Sequence, residues 1–214
     1  MNIKPILFST LMVQAILAGR KTMTRRVVKP TEYWVKSFDL PTSKYQTGDI
    51  LWVRETWNYS PNWYYCYRAD QVPDDNYGFV GTIPWRPSIF MPKAAARIWL
   101  KVTDVRCERV QQITGEDAAR EGVAKSQEEM DDDLCNYCPL PDGSKGAQCY
   151  GGNPVMCEGR HCNEAYQTYL ADIAVDDFAT LWDHLNAKRG FAWDSNPYVW
   201  VVSFERCEKP ESEV

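Results

Sequence analysis

Two groups of residues in this chain have the types and spacing to do chemistry. The first is basic. Residues 17 to 26 read Leu-Ala-Gly-Arg-Lys-Thr-Met-Thr-Arg-Arg, so Arg20, Lys21, Arg25 and Arg26 fall within seven positions, interleaved with the hydroxyls of Thr22 and Thr24. Such a cluster can meet phosphate, and Lys21 beside Thr24 can activate a hydroxyl. A threonine hydroxyl is a weak nucleophile that needs an adjacent base. A lysine serves as that base only where burial or neighbouring positive charge lowers its pKa, and Arg20, Arg25 and Arg26 supply the charge. The plainer reading of the same run is a solvated basic turn. The second group is a set of thiols. Five of the eight cysteines crowd together as Cys135, Cys138, Cys149, Cys157 and Cys162, with His161 beside the last. Cys135-x-x-Cys138 has the spacing of a zinc knuckle, and two further thiolates complete a tetrahedral site. Cys157 and Cys162 are the first choice, with Cys149 as the alternate and His161 as a further candidate. With no open position, the expected role is structural Zn2+, folding an insertion that has little core of its own. Free thiols in a loop are the alternative.

The elements that must position the basic run are legible around it. Residues 3 to 8 read as an edge strand, because Pro5 cannot donate to a ladder. Ser9 or Thr10 can cap a helix, and Met12, Val13, Ile16 and Leu17 give it an apolar face. Gly19 suits the position just past the helix end, where partly negative carbonyls accept Arg20 and Lys21. Residues 22 to 28 then form a strand with Thr22, Thr24 and Arg26 on one face, and Lys21 at its mouth.

Downstream, Gly48-Asp49 is a turn and Ile50 to Val53 a buried strand. Trp57, Tyr59, Trp63, Tyr64, Tyr65 and Tyr67 suggest either a hairpin covering the core or a stacking surface; base stacking is worth about 1–3 kcal/mol per base. Residues 71 to 92 read as a proline-rich loop in which Trp85 can line a cleft. Residues 94 to 110 hold the longest strand pattern, and two adjacent strands joined by a bend also fit it. Thr114 caps a short helix over 115 to 121, which puts the Glu121 carboxylate in a last turn where the helix dipole disfavours it. A local cost of that kind is one that function can explain. An acidic run at 127 to 133 opens the cysteine-rich insertion, and Asp176 or Asp177 caps a helix that Gly190 stops. Tyr198 to Phe204 is a last strand, apolar on nearly both faces as a central strand is.

Composition bounds the function. Hydrophobic residues make up 44% of 214, enough for a core, and the net charge of −5 excludes a generally sticky polyanion binder. Any nucleic-acid contact must therefore come from a local basic patch. No apolar run approaches the roughly 20 residues of a membrane span, and no signal peptide is legible, so the expected location is cytoplasmic. The expected organisation is one domain over 1–124 and 166–207, an inserted knuckle over 125–165, and a disordered tail over 208–214.

Gly19, Lys21, Thr24 and Arg26 form G-x-K-x-x-T-x-R, which resembles the signature of ASCH domains, a branch of the PUA-like RNA-binding superfamily. The Gly48-Asp49-Ile50-Leu51 turn entering a strand is similar to theirs. The resemblance implies an α+β fold: a PUA-like mixed β-barrel flanked by short helices, here with the cysteine-rich knuckle inserted. Within the group, Ala18 to Arg26 is similar to the A-G-R-K-T-x-T-x-R run of small acetylcytidine amidohydrolases. Their catalytic lysine and threonine fall on Lys21 and Thr24. Their catalytic glutamate, in an A-x-x-E context, falls on Glu121 of Ala118-Ala119-Arg120-Glu121. Those enzymes are much shorter and lack the aromatic hairpin, the proline-rich loop and the knuckle. Over its full length the chain looks more like phage and prophage ASCH-type proteins, through Lys4 to Ser9, Leu51 to Trp57, Trp85 to Pro92 and the tryptophan-bearing last strand.

The resemblance implies binding of RNA or a modified nucleoside in a basic cleft, with Arg20, Arg25, Arg26, Arg54, Trp57 and Trp85 as contacts. An amidohydrolase or a ribonuclease using Lys21, Thr24 and Glu121 is the alternative. A phage factor that binds a host protein through its knuckle and acidic run is the third.

Overall fold

A computed structural model of the chain describes residues 2–29, 42–59, 64–70, 84–123 and 160–210, and of residues 160–172 the backbone alone. The chain divides into two compact units. One comprises Met1–Gln112, Arg120–Gly122 and Ser195–Val214, and the other Ile113–Ala119 and Val123–Asp194.

The first unit is built on a five-stranded mixed sheet. Its strands are β1 (Ile3–Leu7), β2 (Met23–Val27), β3 (Ile50–Arg54), β6 (Trp99–Arg109) and β7 (Tyr198–Cys207), in the order β1-β3-β6-β7-β2. Only β1 and β3 pair in parallel; the other neighbours are antiparallel. β1 is an edge, as Pro5 requires, and β7 is interior, between β6 and β2, with Val199, Val201, Val202 and Phe204 all buried. One core gathers Ile6, Phe8, Val13, Ile16, Leu51, Val53, Leu100, Val102, Val202 and Phe204. A register shift between Val102 and Asp104 bends β6 against β7, as an irregularity of this kind does.

A closed barrel is the expectation, whereas the described sheet ends at β1 and β2 with no backbone ladder between them. A side chain joins these two edges instead. The Arg26 guanidinium on β2 donates to the Leu7 carbonyl on β1 through Nη2 at 2.9 Å. The sheet is therefore curled enough for one arginine to span its open seam.

Helix α1 (Thr10–Leu17) crosses from β1 to β2. Ser9 caps it by accepting from the Met12 N–H, and Gly19 follows with φ of 75°, a left-handed conformation that glycine adopts without a Cβ penalty. The aromatic stretch forms a separate two-stranded sheet, β4 (Trp57–Tyr59) with β5 (Tyr65–Tyr67). A 3-10 turn over Ser88–Phe90 and another over Lys93–Ala95 lead into β6.

In the second unit, α2 (Gly115–Arg120), whose last residue belongs to the first unit, is capped by Thr114, which accepts from the Asp117 N–H. Helix α3 runs from Arg160 to Asn186. It starts well before the expected cap at Asp176 or Asp177, which lie inside it. No glycine or proline interrupts residues 160–189, so nothing in that stretch breaks a helix, and two aspartates alone do not. Phe178 and Trp182 stack within α3, and the Trp182 indole donates to the Phe191 carbonyl. Gly190, at φ of 84°, ends the following turn as expected.

Candidate functional site

The basic run arrives at its place in three steps. The end of α1 fixes the first, since the Lys21 N–H donates to the Ala15 carbonyl. Sheet pairing fixes the second: Thr22 accepts from the Phe204 N–H, and Thr24 stands opposite Val202. The segment Arg120–Gly122 fixes the third, because the Arg120 carbonyl accepts from the Thr22 N–H. Gly122 makes that approach possible. It sits at φ of 81°, and a Cβ there would lie 2.9 Å from the Cβ atoms of both Ala15 and Lys21.

Glu121 is thereby brought to Lys21 across 100 positions of sequence. The Lys21 ammonium donates to Glu121 Oε2 and to the Glu121 carbonyl, each at 2.7 Å. Both residues are buried, Lys21 to 2% exposure. Arg25 completes the grip, with Nη1 at 3.3 Å from Glu121 Oε1 and Nη2 at 2.7 Å from Glu108 Oε1. Glu108 in turn accepts from Arg106 Nε at 3.0 Å. Lys21, Glu121, Arg25, Glu108 and Arg106 form an alternating chain of charge, and its inner members are shielded from water.

Burial is the largest influence on Lys21 and pulls its pKa down. The Glu121 carboxylate pulls it back, Arg26 and Arg25 push it down again, and the net direction is below an ordinary lysine. That is the direction a lysine needs to act as a base near neutrality. Thr24 is buried on the strand face that also carries Arg26. Lys21 and Arg26 both reach the Phe8 ring, 5.6 and 5.3 Å from its centroid. The site thus sits at the seam of the sheet, floored by Phe8, which packs on Phe204.

The remaining expected site residues are distributed differently. Arg20 is exposed and Arg26 partly so. Arg25, expected among the phosphate contacts, has a wholly buried side chain engaged by two carboxylates. Arg54 lies over the Trp52 ring and donates to the carbonyls of Met91 and Ile89. Trp57 is buried against Met91 and Ala95, so it packs a small core instead of offering a face to a base. Trp85 is half-buried in the segment leading to the Ser88–Phe90 turn. Cys135, Cys138, Cys149 and Cys157 lie outside the described residues, and Cys162 falls in the first turns of α3, where only the backbone is described. Among the described residues, no group of three His, Cys, Asp or Glu is placed to hold a metal. Cys66, Cys107 and Cys207 are half-buried free thiols in strands.

Sequence reasoning passed over Glu108 and Phe8. On β6 the acidic and basic residues Asp104, Arg106 and Glu108 look like a solvated face, and of the three only Glu108 is drawn inward, by the buried Arg25. A second charged cluster was also missed. The Arg97 guanidinium grips Glu55 with two bonds of 2.9 Å, binds Asp70 at 2.6 Å, and stacks 3.9 Å from the Tyr67 ring centroid. Burial raises the pKa of Glu55, with Arg97 restraining it. Burial also pushes the Tyr67 phenol up to about 12.

No family model matches the chain, and no curated protein matches it. A solved structure similar to it is the high-resolution crystal structure of an ASCH domain from Lactobacillus crispatus JV V101. The two are 11% identical, the match covers 96% of this chain and 79% of that one, and the TM-score is 0.38. A likeness at that level carries no argument about this chain.

Proposed function

We infer that the chain is an ASCH-type protein of the phage and prophage kind, with a PUA-like fold, that binds RNA or a modified nucleoside beside residues 19–26. One observation carries this reading. The two motifs that resemble the ASCH amidohydrolases, Ala18 to Arg26 and Ala118 to Glu121, meet in a buried contact of 2.7 Å between Lys21 and Glu121. A solvated basic turn has no reason to bury its lysine against a glutamate 100 positions away. Exposed Arg20 and half-exposed Arg26 form the rim that meets phosphate, and buried Arg25 holds Glu121 behind it.

The lowered pKa of Lys21 favours a second reading, hydrolysis of an amide on an acylated nucleobase. With the proton of the Lys21–Glu121 contact held on Glu121, the neutral Lys21 amine accepts the Thr24 proton, the threonine oxygen attacks the acyl carbon, and the C–N bond breaks as Glu121 gives its proton to the leaving amine. Water then releases the acyl group from Thr24.

The test is to follow acetylcytidine by chromatography and labelled single-stranded RNA by fluorescence anisotropy, in wild type, Thr24→Val, Lys21→Met and Arg20→Glu. Turnover lost in Thr24→Val and Lys21→Met establishes the amidohydrolase. RNA binding weakened in Arg20→Glu, with no turnover in any variant, establishes the binding reading alone. Neither activity in the wild type overturns both. The Zn2+ at Cys135, Cys138, Cys157 and Cys162 belongs to the same proposal. We expect about one zinc per chain by elemental analysis of the purified protein, and a metal-free folded protein would remove it.

A further inference from the structure

The segment Trp85 to Lys93 has no part in the site above, yet the fold fixes it with unusual care. Ile89 is 57% exposed and Phe90 is 69% exposed, at the tip of the 3-10 turn over Ser88–Phe90. Single exposed apolar side chains are ordinary on a protein surface. An exposed pair on a backbone held from several sides is not. Arg54 donates to the carbonyl on each side of Phe90, at Ile89 and at Met91. The Glu55 N–H points to Met91 Sδ at 3.2 Å, and Met91 itself is wholly buried with Trp57 and Ala95. Arg86 pairs its backbone with Trp57 in both directions. The Tyr67 hydroxyl donates to the Ala95 carbonyl at 2.6 Å, and Arg97, stacked on Tyr67, is clamped by Glu55 and Asp70. The second charged cluster and the aromatic hairpin therefore act together as a bracket beneath this tip.

The chemistry of the tip selects its occupant. Residues 84–96 carry Arg86 and Lys93 and no acidic residue, within a chain whose net charge is −5. Arg86 is exposed and Trp85 half-exposed. Aromatic and apolar side chains beside positive charge suit unstacked bases on a phosphate backbone. We propose that the tip formed by Trp85, Arg86, Ile89 and Phe90 is a preformed stacking platform for single-stranded nucleic acid, separate from the Lys21–Glu121 site. It rests on the nucleic-acid reading above and names a second contact for that ligand.

The experiment is anisotropy with labelled single-stranded RNA on the full chain, comparing wild type, Phe90→Leu, Phe90→Trp and Arg86→Gln, with sedimentation velocity of each variant. Phe90 is exposed, so these variants keep the fold. Stacking predicts that Phe90→Leu weakens binding by roughly 10-fold or more, and that Phe90→Trp restores it. Arg86→Gln should lower the salt dependence of binding by about 0.7 in log–log slope, the loss of one phosphate contact. If wild type binds and Phe90→Leu binds equally well, the platform is overturned while the nucleic-acid reading stands. Absence of any wild-type binding overturns both. Self-association that disappears in Phe90→Leu, with RNA binding unchanged, assigns the tip to a second copy of the chain and overturns the platform.

Discussion

Two of the charged clusters among the described residues bury a carboxylate against different cations. At the seam of the sheet a lysine faces Glu121; beneath the Ser88–Phe90 tip an arginine faces Glu55. Arginine stays charged at any accessible pH and offers a planar fork that matches a carboxylate. Burial alone would pull the Arg97 guanidinium down, but Glu55 and Asp70 reverse this and hold it above its ordinary value. The result is a clamp. Lysine is a point charge whose proton burial can remove, and at Lys21 burial outweighs the attraction of Glu121. The two cations therefore differ in direction, with burial lowering Lys21 while Glu55 and Asp70 raise Arg97.

That contrast can be broken at either end. The largest effect is expected from Glu121→Ala, which leaves Lys21 and Arg25 buried without their shared carboxylate and should cost about 3–5 kcal/mol in urea unfolding. A loss below about 1 kcal/mol would mean that the seam pair is solvated and ordinary. Next comes Arg97→Lys, which keeps the charge but cannot form both bonds to Glu55 and still reach Asp70. A destabilisation on the order of 1–3 kcal/mol in the same assay marks the clamp as dependent on the guanidinium fork. An unchanged protein would reduce it to a simple charge pair.

A third comparison uses pH. Because the folded-state pKa of Lys21 lies below its unfolded value, the unfolded chain binds the extra proton more tightly. Stability contributed by this residue therefore rises with pH, between the folded pKa and about 10.4. Lys21→Met should remove that rise, seen as the difference between wild-type and variant urea midpoints from pH 8 to 10. Parallel curves would show that Lys21 titrates like a surface lysine. Asp70→Asn should have the smallest effect, within about 1 kcal/mol, since Asp70 is largely exposed. It would sharpen the comparison by showing that Glu55 alone makes the clamp.

Much of the first cluster could be read without coordinates. Ser9, Gly19, Thr114 and Gly122 carry local backbone chemistry that survives any tertiary context, and each stands where the sequence puts a cap or a turn. Glu121 stood out because a carboxylate at a helix end is misplaced unless something compensates, and Lys21 compensates. Arg25 was legible as a charge but not as a buried one, since adjacent arginines in a strand point to opposite faces and the sequence does not say which face is covered. Glu108 was hidden for the same reason. Trp57 was misleading because aromatic density is equally consistent with a small core and with a binding surface. The start of α3 was misread because an aspartate pair resembles a cap when the residues before it are taken for a metal-bound loop. The Glu55–Arg97 clamp depends on two residues 42 positions apart with no motif between them, so only the fold could reveal it.

Among the described residues, the seam is held by a side chain and not by a ladder. A ladder of backbone hydrogen bonds parts only cooperatively, taking its neighbours with it. A side-chain latch works differently: partly exposed Arg26 can leave the Leu7 carbonyl by turning about its own bonds. Every β1–β3 and β2–β7 pairing remains in place while it does so. The seam is thus closed at this point by one side chain, Arg26, which also lies over the buried Phe8 ring that Lys21 shares.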